Sequence, residues 1–459
     1  MVMASTTHPL SPLLLFSLFS IVAVSVLAQV PANKTFTYVN QGEFGMYISE
    51  YYPDYRFIEV PNHSFFNYRF QLLLYNTTPN AYILAIRAGI RRDEDLMRWI
   101  WDANRNNPVR ENATLTFGTD GNLVFTNPDG RIAWQTNTAN KGVTDIALLG
   151  NGNLVLHDKN GKYIWQSFDH PSDTLMVGQS LRLNGPNKLV SRTSDADGRD
   201  GPYSVVLEPS GLNMYVTYGG QRLRYGGFSF SGGQKYVAMK FEAVPENENA
   251  TAYELTLGFE EAAAPPKPTR HLLQSRPVSN SEGPILKKIN YNGTLSYLRL
   301  GSDGNLKVVT YYDQTSYLKW SETYSFFGDD VRECALPTKC GSFGLCQFKF
   351  SCVACPTPKG LSAWSESCAP PKLPPCKGGA AAAVDYFKIA GVEHFMSPYL
   401  ADKAQKMSVN ACRDKCSKDC KCAGFFYRED TSRCFTTPLL ATLIKVTNTS
   451  RVGYIKYSK

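Results

Sequence analysis

Histidine, carboxylate and amide side chains fall in several short stretches where their spacing could do chemistry. In FDHPSD, His170 lies between Asp169 and Asp173, the groups of a general acid/base pair. In GTDGNLVFT, residues 118–126, Asp120, Asn122 and Val124 occupy alternate positions. Alternate residues of an extended strand share one face, so Leu123 and Phe125 point the other way, into a core. The pattern returns 31 residues on, with Asn153 and Val155 in the places of Asn122 and Val124, but Leu149, Asn151 and His157 replace Gly118, Asp120 and Thr126. Asp195, Asp197 and Asp200 suggest a calcium loop, but such a loop needs Asp-x-Asp-x-Asp-Gly and a distant Glu. Gly198 comes too early, and the stretch reads as a turn. Cys352 and Cys355 form a CxxC. Zinc needs four ligands, commonly two such pairs, and neither a second pair nor a histidine partner is present. No GxSxG, HExxH or P-loop occurs. No catalytic residue, metal or cofactor is therefore expected, and the chain does not read as an enzyme.

The elements that must position these residues are short strands. DGNLVFTNPDGRIAWQTN (120–137) and the repeat beginning GNGNLVLHDKNGKYIWQ each open on Asn-Leu-Val. Each then crosses an Asn/Asp turn with Gly130 or Gly161 and reaches Trp134-Gln or Trp165-Gln. These are hairpin signals, and one β-unit recurs. AYILAI (81–86) and WIWDANRNNPV (99–109) precede them, with no legible third copy of the motif. Tyr and Phe are abundant, Gly and Pro are frequent, and long amphipathic helical patterns are scarce, which is an all-β profile.

The apolar run Leu13–Ala28, LLLFSLFSIVAVSVLA, carries no charge and ends in small residues. A spanning helix needs about 20 apolar residues, so residues 1–28 read as a cleaved signal peptide. No later stretch reads as a membrane span, and the polar, basic end VTNTSRVGYIKYSK is not a GPI signal. Seven Asn-x-Ser/Thr sequons, at Asn33, Asn62, Asn76, Asn112, Asn249, Asn292 and Asn448, fit a glycoprotein of the secretory path. The product is expected outside the cell, in the wall or apoplast, with the vacuole as the other destination. The formal charge of +8 could favour adhesion to acidic polymers such as pectin, although an ordinary solvated basic surface explains it equally. No basic stripe suggests nucleic acid.

All twelve cysteines lie between Cys334 and Cys434. Hydrophobic cores alone must hold the preceding three quarters. The last quarter reads as small modules that need covalent staples. Cys334, Cys340, Cys346, Cys352, Cys355 and Cys368 form the first cluster, and six cysteines allow fifteen connectivities. Cys376, Cys412, Cys416, Cys420, Cys422 and Cys434 form the second, with helical spacing at 412, 416 and 420.

The order of these signals resembles the bulb-type (Galanthus-like) lectin domain fused to S-locus glycoprotein, EGF-like and PAN/apple modules. The plant epidermis-specific secreted glycoproteins are the nearest family, similar to S-domain receptor kinase ectodomains without span or kinase. RTSDADGRDGPYSVVL, LSYLRLGSDGNLKVVTYY and LKWSETYSFFGDD carry the middle part of the resemblance, and CALPTKCGSFGLC and ACRDKCSKDCKCAGFFY the last. The resemblance implies a mainly β chain: a β-prism lectin domain over 29–180, a second β-rich S-locus domain over 181–330, a disulfide-rich EGF-like module over 331–371 and an α+β PAN/apple module over 372–459. It implies the disulfides Cys334–Cys346, Cys340–Cys352, Cys355–Cys368, Cys412–Cys434 and Cys416–Cys422, which leaves Cys376 with Cys420. It makes Trp134 and Trp165 core residues and gives FDHPSD a loop-ordering role. AAAPPKPTRHLLQSRPVSNSEGP (262–284) reads as an exposed insertion and KLPPCKGGAAAA (372–383) as a linker.

In the lectin family the motif is Gln-x-Asp-x-Asn-x-Val-x-Tyr, and its side chains hold mannose. Here Asp120, Asn122, Val124, Asn153 and Val155 match, while Gly118 and Thr126 replace the Gln and the Tyr. Each lost hydrogen bond is worth on the order of 1 kcal/mol net, so mannose-type affinity should be weak at best. The expected function is that of a secreted lectin-like glycoprotein that binds glycans or glycoprotein partners. The alternatives are a sugar-independent interaction or receptor-decoy protein acting through the PAN and EGF-like surfaces and, remotely, a glycan-active enzyme. A cell-wall polysaccharide or a receptor ectodomain are the candidate partners.

Overall fold

The computed structural model describes residues 30–89, 97–229, 235–262, 280–281, 284–312, 319–328, 332–349, 351–373, 384–399 and 404–458. The signal segment, Cys376 and most of the 262–284 and 372–383 stretches lie outside the described residues.

Three antiparallel sheets make the first unit. One holds Phe36–Val39, Thr114–Phe117, Leu123–Thr126 and Ile132–Gln135, and a second holds Asp54–Phe57, Phe70–Asn76, Ile83–Ala88 and Arg98–Asp102. The third has three strands, Asp145–Leu148, Leu154–His157 and Tyr163–Gln166. Period-two burial fixes each register: Leu123 and Phe125 are fully buried while Val124 and Thr126 are half-buried. The sheets meet on three tryptophans in mutual edge-to-face contact. The Trp101–Trp134 and Trp101–Trp165 ring centres are 6.1 Å apart and the Trp134–Trp165 centres 5.7 Å, within the favourable range for aromatic pairs. This is the expected β-prism, with one tryptophan from each sheet.

The middle region is a second three-sheet unit. Its sheets are Thr174–Met176 with Ser296–Leu300, Leu306–Tyr311 and Trp320–Ser325; Ser180–Arg182 with Tyr236–Pro245, Tyr253–Glu261 and Ile285–Ile289; and Lys188–Arg192 with Asp200–Glu208, Gly211–Tyr218 and Gln221–Ser229. All three send side chains into one core, among them Leu298, Val308, Phe241, Leu257, Val205 and Met214. Thr174–Met176 already pairs with Ser296–Leu300, so the chain passes from the first unit to the second in 167–173.

A belt of charge joins the two units. Arg299 Nη1 donates to both Glu50 oxygens at 2.8 Å, its Nε donates to Thr174 Oγ1 at 3.0 Å, and its Nη2 reaches the Trp99 carbonyl. Arg98 shares Glu50 at 3.0 Å. Arg105 bridges Asp102 at 2.6 Å and Asp173 at 3.2 Å. Arg192 donates to the Tyr75 hydroxyl at 2.7 Å, and that hydroxyl donates to Asp102 at 2.8 Å. Burial alone would raise the Asp173 carboxyl, but the Arg105 and Arg299 guanidiniums outweigh it and hold it below the ordinary aspartate value.

The cysteine-rich quarter holds the helix Val409–Lys418, capped by Ser408 Oγ, which accepts from Ala411 N at 3.2 Å. Lys456 Nζ donates to the Cys416 and Asp419 carbonyls at 3.0 Å each, satisfying acceptors at the other end. Cys334–Cys346, Cys340–Cys352, Cys355–Cys368, Cys412–Cys434 and Cys416–Cys422 are bonded. Cys420 is also disulfide-bonded; its expected partner Cys376 lies outside the described residues. The two cysteine clusters are not separate bodies. Phe343–Gln347 from the first pairs in parallel with Ala441–Lys445 from the second, within one five-stranded sheet.

His394 is fully buried there. Its Nδ1 accepts from Met396 N at 3.3 Å and its Nε2 faces the Leu439 carbonyl at 2.9 Å, which places the proton on Nε2. Burial drives its pKa from 6.5 down to about 4. Below about pH 6.5 the unfolded chain binds a proton that the folded chain refuses, so stability falls as pH drops toward 4, by ~3 kcal/mol in all. Melting followed from pH 7 to 4 should show this loss, and His394→Gln should flatten the dependence. An unchanged slope in the variant would discount it.

Candidate glycan-binding strands

Asp120 and Asn122 sit in the tight turn that launches Leu123–Thr126. Asp120 Oδ1 accepts from Asn122 N at 3.0 Å, and Gly121 takes φ +79°, with Val143 so close that an added Cβ would lie 2.7 Å from its Cβ. Asn122 is 7% exposed. Its Nδ2 donates to Gln135 Oε1 at 2.8 Å, and its Oδ1 accepts from Thr136 Oγ1 and Thr138 N at 3.0 Å each. Three of the four bonds an amide can make are thus spent inside the protein.

Asn153, 3% exposed, repeats the arrangement. Nδ2 donates to Gln166 Oε1 at 2.8 Å, and Oδ1 accepts from Ser167 Oγ and Phe168 N at 3.2 Å each. Val124 is half-buried and Val155 fully buried. The expected residues are therefore on their strands, but both amides brace the hairpins that carry them. Gly118 is part of the same economy, because a Cβ there would lie 2.8 Å from Asp120 Oδ1. A side chain at 118 would need the carboxylate to shift slightly, as the second copy accommodates with Leu149 beside the same turn bond from Asn153 N to Asn151 Oδ1 at 3.1 Å.

Register supplies the copy that the sequence hides. Val124 faces Gln135, Val155 faces Gln166 and Ala85 faces Asp102. The sheet of Ile83–Ala88 thus has Ile83 in the place of Asn122 and Arg87 in that of Thr126, with no motif side chain left. Its Trp101-Asp102 was the only surviving signal. A fourth copy lies in the second unit, in Gly301-Ser-Asp303-Gly-Asn305-Leu. Asn305 N donates to Asp303 Oδ1 at 2.8 Å, Asn305 Nδ2 donates to Ser325 Oγ at 2.9 Å and Asn305 Oδ1 accepts from Phe327 N at 3.1 Å. The spacing from Gly301 to Leu306 matches that from Gly118 to Leu123 residue for residue, and this was the signal that could have found it.

The His170 ring stacks on Trp165, 5.3 Å between centres, and its carbonyl accepts from Trp101 Nε1 at 2.8 Å. Burial lowers its pKa, with Asp169 partly opposing. Asp169 accepts from Gln166 Nε2 at 2.9 Å and pairs with Arg182 at 3.3 Å, while Asp173 is held by Arg105. The stretch orders the crossing between the two units. Asp197 pairs with Arg199 at 2.6 Å, Asp200 accepts from Asn106 Nδ2 at 2.8 Å, and no metal-holding group of side chains occurs among the described residues. Of the seven sequon asparagines, Asn33, Asn62, Asn112, Asn249, Asn292 and Asn448 are exposed. Asn76 is 5% exposed at the end of Phe70–Asn76.

Residues 99–194 match the family described as D-mannose binding lectin. Three-sheet geometry, an axial tryptophan trio and the braced Asp-Gly-Asn hairpins define a lectin-like β-prism protein. The chain is 57% identical over 442 residues to EP1-like glycoprotein 2 of Arabidopsis thaliana, covering 94% of this chain and 96% of that protein. It is 47% identical over 371 residues to the epidermis-specific secreted glycoprotein EP1 of Daucus carota, 76% of this chain and 90% of that one. A G-type lectin S-receptor-like serine/threonine-protein kinase of Arabidopsis thaliana, B120, is 27% identical over 71% of this chain but only 37% of its own length. The chain belongs to the EP1-like glycoprotein family.

Proposed function

We propose that this protein is a secreted glycoprotein of the plant cell wall or apoplast. In this reading it recognises glycans or glycoprotein partners through several weak contacts instead of one mannose pocket. The Leu13–Ala28 run, the exposed sequons and the secreted carrot relative support the location. The observation that carries the rest is the internal use of the Asn122 and Asn153 amides. With three of four bonds already made inside the protein, each amide has a single N–H left to offer a sugar, and any further contact would break a bond worth about 1 kcal/mol. Binding summed over modules remains open to such a chain.

Calorimetric titration with mannose and with a high-mannose oligosaccharide tests this. Free mannose should bind at about millimolar Kd or more weakly. Asn122→Ala should cost stability, by about 1–3 kcal/mol for the partners left unpaired, and leave glycan binding nearly unchanged. Micromolar mannose binding abolished by Asn122→Ala would overturn the reading. The other reading, contact with a protein partner without sugar, draws on the same spent amides. A glycan array blank for every sugar, with partner capture intact, would select it.

A further inference from the structure

We propose a saccharide site in the cleft between the two three-sheet units, on the fourth copy of the hairpin, with a neutral hexose unit of an oligosaccharide as its ligand. The inference rests on the glycan-binding reading and gives it a place. In the first unit the motif face offers Asp120 and two braced amides. In the second, the corresponding alternate positions Gly301, Asp303, Lys307 and Val309 line a cleft of about 550 Å³, ample for a sugar ring. Glu322 and Trp320 of the neighbouring strand complete that wall, and Glu50, Tyr51 and Arg98 of the first unit face it.

The lining has the chemistry of a polyol site. Lys307 Nζ stands 3.1 Å from Glu322 and 3.9 Å from Asp303. An ammonium flanked by carboxylates offers a donor and acceptors to neighbouring hydroxyls at once. Asp303, Lys307 and Glu322 are 43%, 33% and 46% exposed, so unlike Asn122 they can meet a ligand without dismantling the fold. Asp303 spends Oδ1 on its turn, leaving Oδ2 toward the lysine. The charge balance selects the sugar class. Three cations, Arg98, Arg299 and Lys307, stand among four acids, Glu50, Asp195, Asp303 and Glu322. A polyanion would meet net repulsion there, whereas a neutral sugar uses both signs.

The test is calorimetric titration of the secreted full-length chain with cellotetraose, mannotetraose and trigalacturonic acid. At least one neutral probe should bind, trigalacturonic acid should not, and the Lys307→Ala/Glu322→Ala pair should weaken binding tenfold or more. Ser302→Arg, which fills the cleft and keeps the ion pair, should do the same. Lys159→Ala, on an exposed turn away from the cleft, should leave affinity unchanged. Neutral binding that survives both cleft variants overturns the site and leaves the glycan reading standing. Preference for trigalacturonic acid overturns the assigned sugar class. No binding by any probe removes the site together with the glycan reading.

Discussion

Glu50→Ala will destabilise the pair of three-sheet units by about 3–5 kcal/mol, the cost of leaving a buried charge without its partner. Glu50 is 8% exposed and accepts from Arg299 and Arg98 at 2.8 and 3.0 Å. Burial works against the Arg299 charge, and Glu50 is the first group that sustains it. Without that carboxylate, two guanidiniums face each other across the junction. The loss should appear in calorimetry as a lower melting temperature for both units, because Arg299 also holds Thr174 and the Trp99 carbonyl. Glu50→Met with Arg299→Met should recover much of it, since an apolar pair of similar volume often replaces a buried ion pair without loss. A cost below about 1 kcal/mol for Glu50→Ala would mean that water reaches the pair and screens it.

Reduction should unfold the chain from Cys334 onward and spare the first unit. Each removed disulfide of a small module costs about 2–5 kcal/mol, and five lost together outweigh the small apolar core around Phe343, Leu345, Phe426, Leu443 and Ile455. The core of Cys412, Cys416, Cys422 and Cys434 is completed by only a few aromatics, among them Tyr386 and Phe425. The second unit should be weakened but not lost. Leu336, Phe395, Met396 and Ala441 of the cysteine-rich quarter sit in its core, and their departure uncovers one side of it. The first unit has no cysteine, and its core around Trp101 and Trp165 takes in Tyr297, Tyr311 and Trp320 of the second unit but no residue of the cysteine-rich quarter. Amide exchange before and after reduction would map this. Equal loss of protection in Leu72–Ile86 and in Phe425–Tyr427 would refute it.

Much of the architecture was legible because strand periodicity and turn chemistry are local. The Asn-Leu-Val hairpins, the Trp-Gln ends and the cysteine asymmetry each depend on neighbours a few residues away. What stayed hidden depends on distant pairing. The third copy of the motif was invisible because Ile83, Ala85 and Arg87 keep the backbone register and none of the side chains. The Asp303–Asn305 hairpin was overlooked because Lys307 interrupts the Asn-Leu-Val signature, although its turn bonds are the same. At the candidate site the strand face was read correctly from alternation. The consumption of both amides was not, because Gln135 and Gln166 lie 13 residues from them across a hairpin whose register only the structure gives.

The parallel pairing of Phe343–Gln347 with Ala441–Lys445 sets a timetable for synthesis. Phe343 meets Ala441 across 98 residues of chain, from position 343 to 441, whereas the bonded cysteine pairs seen here are separated by 6 to 22 residues. These short-range pairs can therefore close before the strand that unites the clusters has been made. Between those moments the edge of Phe343–Gln347 stands unpaired, which is the condition that invites pairing with a neighbouring chain. That edge waits for its partner for the time it takes a ribosome to add about a hundred residues, roughly 5–20 s.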